Sequence, residues 1–208
     1  KWFGVHQMMD TAGAIIGSII VIFLFWKFNM GYKSIIIIAG IISVLSLLPL
    51  AFVKEPKTKP ARTGLFREIE HIGKDLKYFV FVSAVFTLAN FGLYMFLLLR
   101  AEQITGSMIS AIGLGVVFNL VWALLSITFG SYSDKIGRKK VLMYGYLLFL
   151  IVSVGFFFSN ALFSMTILFV LYGLVYAMTQ GTQRAYVADM AGKMKGTAIG
   201  FFQFVIGI

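Results

Sequence analysis

Cysteine is absent from the 208 residues, and with it any disulfide framework, thiolate metal site or cysteine nucleophile. Histidine occurs only at His6 and His71, too few for a histidine metal site. Charge is scarce as well: 12% of residues are Asp, Glu, Lys or Arg, about half the share of an ordinary globular domain. No Ser-His-Asp set and no pair of carboxylates at catalytic spacing stands out, so the chain does not read as an enzyme and no cofactor is expected. Gly113-Leu114-Gly115 lacks the third glycine and the strand context of a dinucleotide fingerprint, and reads as helix packing.

What is present in excess is apolar: 60% of residues are hydrophobic and the mean hydropathy is +0.92. Stretches without a charged residue cover 11–26, 34–53, 78–99, 103–133, 141–183 and 196–208. About 20 apolar residues span a bilayer as a helix, so the longest run holds two helices, broken near Ser159-Asn160. The expected spans are 2–26, 34–52, 78–99, 107–130, 141–158, 162–179 and 196 onward. A transmembrane β-barrel would instead show alternating segments of about 10 residues, and none is seen. The fold class is therefore all-α, a polytopic transmembrane helix bundle of about seven helices. Lys1 leads straight into a span and Ile208 lies inside another, so a piece of a longer protein is expected.

The net charge of +10 acquires meaning once the connections are sorted by side. Lys and Arg number fifteen on one set of alternate connections and three, Lys27, Lys33 and Arg100, on the other. By the positive-inside rule the first set faces the cytoplasm. The basic excess is a topology signal rather than a nucleic-acid footprint, and the expected surroundings are the lipid bilayer of the cell's cytoplasmic membrane.

One connection is long. Residues 54–77 carry Pro56 and Pro60, which break the chain after the second span. Beyond them Leu65, Ile69, Ile72 and Leu76 recur at helical spacing, with charges on the other faces, and predict a short amphipathic helix on the inner membrane surface. The division expected from this is 1–53 as the last two helices of one bundle, 54–77 as a central cytoplasmic loop, and 78–208 as an incomplete second bundle. A faint repeat agrees: Gly4 and Gln7 recur as Gly200 and Gln203 at one offset.

The strongest motif is Gly130-Ser131-Tyr132-Ser133-Asp134-Lys135-Ile136-Gly137-Arg138-Lys139-Lys140, between the fourth and fifth spans. Gly137 permits a tight turn. Asp134 is oddly placed, because a carboxylate at a helix C-terminus meets the negative end of the dipole, and it calls for a partner elsewhere. The motif resembles the signature loop of the major facilitator superfamily, G-x-x-x-D-(R/K)-x-G-(R/K)-(R/K), at every defined position. The segment from Gln183 and Arg184 through Asp189 to Lys195-Gly196 is similar to the connection before that family's eleventh helix, which implies a charge network containing Arg184 and Asp189. In the first span Phe3-Gly4, Asp10, Gly13, Gly17 and Ser18 resemble the family's fifth helix, with Ser18 where many members have proline and Gln7 where many have arginine. Gly13 and Gly17 form a small-x-x-x-small pair expected to bring helices close.

That resemblance implies helices five to the start of eleven of a two-bundle secondary transporter, monomeric at full length. Such a protein moves a small solute by alternating access. A non-transporting sensor or scaffold, or a channel, is the other class to weigh. Asp10 lies about 12 Å along its helix, where an ionisable group is costly unless it faces a cavity or a partner helix, so it is the candidate for coupling to protons. Polar residues within spans are the candidates for lining a substrate cavity: Asn90 with Tyr94, Asn119 with Trp122, then Tyr172, Tyr176 and Gln180, and finally Gln203.

Overall fold

A computed structural model describes residues 2–45, 47–50, 52, 71–90, 92–192 and 194–207, with the backbone alone at 2–4, 32, 49 and 50. The described residues form helices and connections, with no strand among them. In chain order the helices are α1 (Trp2–Phe28), α2 (Tyr32–Leu45), α3 (Leu47–Leu50), α4 (Lys74–Asn90), α5 (Leu93–Thr105), α6 (Met108–Ile136), α7 (Arg138–Phe158), α8 (Leu162–Met190) and α9 (Lys195–Ile206). Among the described residues five stretches are long and apolar enough to cross a membrane: Val5–Phe28, Lys74–Thr105, Met108–Ile136, Arg138–Phe158 and Leu162–Met190. Lys33–Leu45 and Lys195–Ile206 are shorter apolar helices.

Large apolar side chains such as Ile36, Ile37, Phe81, Leu88, Phe157 and Phe163 stand more than half exposed. In water so wide an apolar surface would be untenable, whereas hydrocarbon is its natural solvent. The interior is organised around α8, which packs on α6 and α7 along much of its length and also meets α1 and α9. Two glycines make that closeness feasible. A Cβ on Gly173 would lie 2.6 Å from the Phe118 carbonyl oxygen, and one on Gly145 would lie 2.7 Å from Thr179 Cγ2.

Two clusters fill the core. Phe118, Phe149, Val152, Phe156, Phe169 and Tyr172 are buried in the middle and at one end. Ile72, Leu76, Val80, Val187, Ala198 and Phe202 close the other end, where α4, α8 and α9 meet. Arg100 and Asn160 mark the first end, their side chains joined at 2.9 Å; Asp134, Arg138 and Asp189 mark the second.

Several expectations need correcting. The third span is not one rod: α4 stops at Asn90, α5 starts at Leu93, and Gly92 between them takes φ +65°, a left-handed conformation that glycine tolerates. Helices α6 and α8 run past the apolar windows that announced them, through the signature motif to Ile136 and past Asp189 to Met190. Of the amphipathic surface helix, Leu65 and Ile69 lie outside the described residues, while Ile72 and Leu76 are buried in the core and Leu76 belongs to α4 itself. Within the described residues a Cβ on Gly13 or Gly17 would meet nothing within 4 Å, so the faces these glycines present are not packed by any described helix.

Candidate functional site

The break between α4 and α5 falls halfway along the stretch Lys74–Thr105, next to Asn90. Its Nδ2 donates to the Tyr176 hydroxyl at 2.7 Å, and its Oδ1 accepts from the Tyr172 hydroxyl at 2.5 Å. One amide thus uses both ends to tie the broken helix to α8. Removing it would take the amide partner from two phenols, which costs more than the bonds contribute.

Aromatic rings surround this knot. The Phe118 ring centroid lies 5.0 Å from those of Tyr94 and Tyr176, 5.1 Å from Tyr172 and 5.7 Å from Trp122. Asn119 donates through Nδ2 to the Gly115 carbonyl one turn back at 2.8 Å and also hydrogen-bonds Tyr94. The Tyr94 hydroxyl lies against the same turn, 2.7 Å from where a Cβ on Gly115 would be. Trp122 Nε1 is buried without a hydrogen-bond partner. Tyr172, Tyr176, Gln180 and Arg184 recur every four residues and form one stripe of α8. Gln180 is half-buried; Gln203 sits apart, on α9, whose Ala198 and Phe202 belong to the other core cluster.

Next to this region lies a cavity of about 400 Å³, lined by Ala14, Gly17, Ser18 and Val21 of α1, Tyr94 and Leu98 of α5, and Ile112 of α6. Asp10 is exposed on α1, and His6 one turn before it is exposed too. Among the described residues no group of three His, Cys, Asp or Glu side chains is placed to hold a metal.

At the opposite end the signature motif is helical on both sides of a single residue. Gly137, with φ +100° and ψ 130°, is the whole connection between α6 and α7. Across it Arg138 reaches back to Asp134 at 3.1 Å and sideways to Asp189 at 2.5 Å. Arg138 is one-fifth exposed, Asp134 and Asp189 more so. All three charges stand at helix ends whose dipoles disfavour them: the aspartates near the C-termini of α6 and α8, the arginine at the N-terminus of α7. Mutual attraction is what offsets the three dipoles, and a cluster so balanced can be opened at small cost. Lys135 and Lys139 are exposed beside it.

Of the expected charge network, Asp189 pairs with Arg138, and no ion pair between Arg184 and Asp189 is found among the described residues. The reason is helical geometry, for residues five apart on a continuous helix point about 140° away from each other. Arg184 Nε is left buried without a hydrogen-bond partner. A contact overlooked in the sequence is that of Gln183, buried, which donates to the Tyr146 hydroxyl at 2.8 Å, with the Phe86 ring stacked 4.2 Å from Tyr146. The signal was weak because Gln183 stood at the margin of an apolar run and Tyr146 looked like any membrane aromatic.

The architecture is that of a polytopic membrane protein built wholly of helices, with a polar knot at mid-span and a charge cluster at one end. The sequence profile of the Major Facilitator Superfamily matches residues 1–208, and the chain belongs to that family. It is also 41% identical, over its whole length, to an uncharacterized MFS-type transporter of Methanocaldococcus jannaschii. The chain spans about half of that relative, 54% of its length. No solved structure matches the chain.

Proposed function

We propose that this chain is the central part of a secondary transporter of the cytoplasmic membrane, which moves a small solute by alternating access. The observation that carries the reading is the interrupted helix α4–α5, whose Asn90 joins the Tyr172 and Tyr176 hydroxyls halfway across the membrane. Helices broken at mid-membrane beside polar groups are where transporters bind their cargo. In this reading residues 1–53 end one bundle, 54–77 connect, and 78–208 belong to a second bundle that rocks against the first.

The parts have distinct roles. Gly130 and Gly137 shape the motif, and the cluster of Asp134, Arg138 and Asp189 is a latch at the cytoplasmic end, with Lys135 and Lys139 holding that end on the inner face. A further contact of Asp134, with the N-terminus of α1, falls on Trp2–Gly4, whose side chains lie outside the described residues. Asn90, Tyr94, Trp122, Tyr172, Tyr176 and Gln180 form the second bundle's share of the substrate site. Asp10 is the proton-coupling group, and the working unit is a monomer.

The test is reconstitution of the full-length protein in proteoliposomes, with solute flux measured under an imposed proton gradient. Saturable flux driven by the gradient and lost in Asn90→Ala supports the reading. Gradient-independent, non-saturating conductance would make the protein a channel, and no flux across a broad solute panel would favour a non-transporting role.

A further inference from the structure

We propose that the solute is an organic monoanion with an aromatic or apolar body, its acid group held by the Arg184 guanidinium and its body by the Trp122 and Tyr176 rings. The inference rests on the transporter reading and specifies its cargo. Arg184 lies about 9 Å inside the end of α8 at Met190 and about 12 Å along the helix from Tyr176. Its side chain is half-buried, and its Nε is sealed without a hydrogen-bond partner. Among the described residues Arg184 makes no ion pair, since Asp134 and Asp189 go to Arg138. Because Nε is already covered, no further helix packed around the bundle reaches it without displacing what covers it. A guanidinium held in this way is costly until an anion meets it, and inside a membrane such a charge marks a path for solute.

The neighbouring groups fix the sign. Trp122, whose ring centroid lies 4.9 Å from that of Tyr176, carries a second buried nitrogen without a partner, Nε1. An indole N–H and a guanidinium can only donate. Gln180, half-buried on the same stripe between Tyr176 and Arg184, makes no hydrogen bond among the described residues and adds an amide. A guest along this stripe must bring acceptors, which a carboxylate has and an ammonium lacks. Arg184 is the one basic side chain of α8, so a single acid group matches it. The body follows from the rings. The Phe118 centroid lies 5.7 Å from Trp122 and 5.0 Å from Tyr176, forming an apolar wall two turns from the guanidinium. A polyhydroxylated solute would leave hydroxyls unpaired against that wall, whereas an aromatic ring stacks on it.

Equilibrium binding of radiolabelled 4-phenylbutyrate to the purified full-length protein in detergent tests this, with 4-phenylbutylamine and 4-phenylbutyramide as competitors of like shape and opposite or no charge. Saturable binding of the acid, displaced poorly by both competitors, is expected. Arg184→Gln should weaken it roughly tenfold or more and level the acid with the amide, and Arg184→Lys, which keeps the charge, should retain the preference. An arginine with a merely structural role would weaken acid and amide alike. Trp122→Ala should weaken both together, through loss of the aromatic wall. Absence of saturable binding of the acid, equal displacement by the amine, an acid-over-amide preference that survives Arg184→Gln, or unchanged affinity in Trp122→Ala would overturn the proposal. Should Arg184→Gln not fold, the ranking of the three probes by the parent protein and by Arg184→Lys decides. Binding at equilibrium needs no alternation between states, so a failure of the transport reading shows up in flux and accessibility while this measurement stands by itself.

Discussion

Arg138 Nε lies 2.5 Å from the Asp189 carboxylate, so the last turn of α8 is bound to the first turn of α7 across the end of the bundle. The same guanidinium holds Asp134 of α6. Three helices thus converge on one partly exposed side chain. A double-mutant cycle with Arg138→Gln and Asp189→Asn, read from thermal unfolding in detergent, should give a coupling energy of about 1 kcal/mol, the upper range for solvent-accessible pairs. Coupling indistinguishable from zero would mean that the contact is incidental.

At mid-span the stakes are higher because one amide serves two phenols. Asn90→Ala leaves the Tyr172 and Tyr176 hydroxyls without their amide and should lower stability by about 2 kcal/mol, whereas Tyr176→Phe, which removes one phenol and leaves one amide N–H unpaired, should cost less. Denaturation midpoints of the two variants in one detergent provide the check. Equal midpoints for Asn90→Ala and the parent protein would show that the knot carries no load.

Glycine positions separate cleanly. Gly173→Ala drives a methyl to 2.6 Å from the Phe118 carbonyl oxygen and should destabilise by about 1 to 3 kcal/mol, because backbone cannot step aside as a side-chain tip does. Gly113→Ala, inside α6 and with nothing within 4 Å of its Cβ, should be neutral or slightly stabilising within its helix. A reversed order in thermal unfolding would contradict the packing of α6 on α8.

Coupling to protons predicts a split phenotype for Asp10. Asp10→Asn in proteoliposomes should abolish accumulation driven by a proton gradient and keep exchange of substrate between the two sides. Unchanged accumulation would reduce Asp10 to recognition or structure alone.

Sidedness follows from the charge count and is checked with single cysteines, since the native chain has none. Lys135 and Asn160 are both exposed, and sit at opposite ends of the bundle. An impermeant thiol reagent on intact cells should label Asn160→Cys and spare Lys135→Cys. The opposite pattern would invert the orientation.

How much of this was legible beforehand depends on the kind of physics involved. Hydropathy delivered the all-α membrane fold and the position of each long helix, because transfer into hydrocarbon depends on composition. It could not show that α8 continues through Arg184 to Met190, for helical backbone bonding persists beyond the apolar window; that continuation is what turned Asp189 toward Arg138. Gly92 gave no warning of the break after Asn90, as membrane helices often carry glycine without bending. The tyrosines on α8 were visible as polar residues in a span, but their shared partner belongs to a helix more than 80 residues earlier, a distance that periodicity cannot bridge.

The central claim is that the bundle alternates between two openings and that the Arg138 cluster holds one of them shut. Gln180 lies on the α8 stripe between the mid-span knot and that cluster, and Ser18 lines the cavity lying toward the Arg100 end. The most direct measurement is the labelling rate of Gln180→Cys and Ser18→Cys in the full-length protein, with and without Asp134→Asn. Loss of a solvent-accessible ion pair of about 1 kcal/mol shifts a two-state population roughly fivefold. Asp134→Asn should therefore raise labelling at Gln180→Cys and lower it at Ser18→Cys. Rates that stay the same, or that rise and fall together, would contradict alternating access.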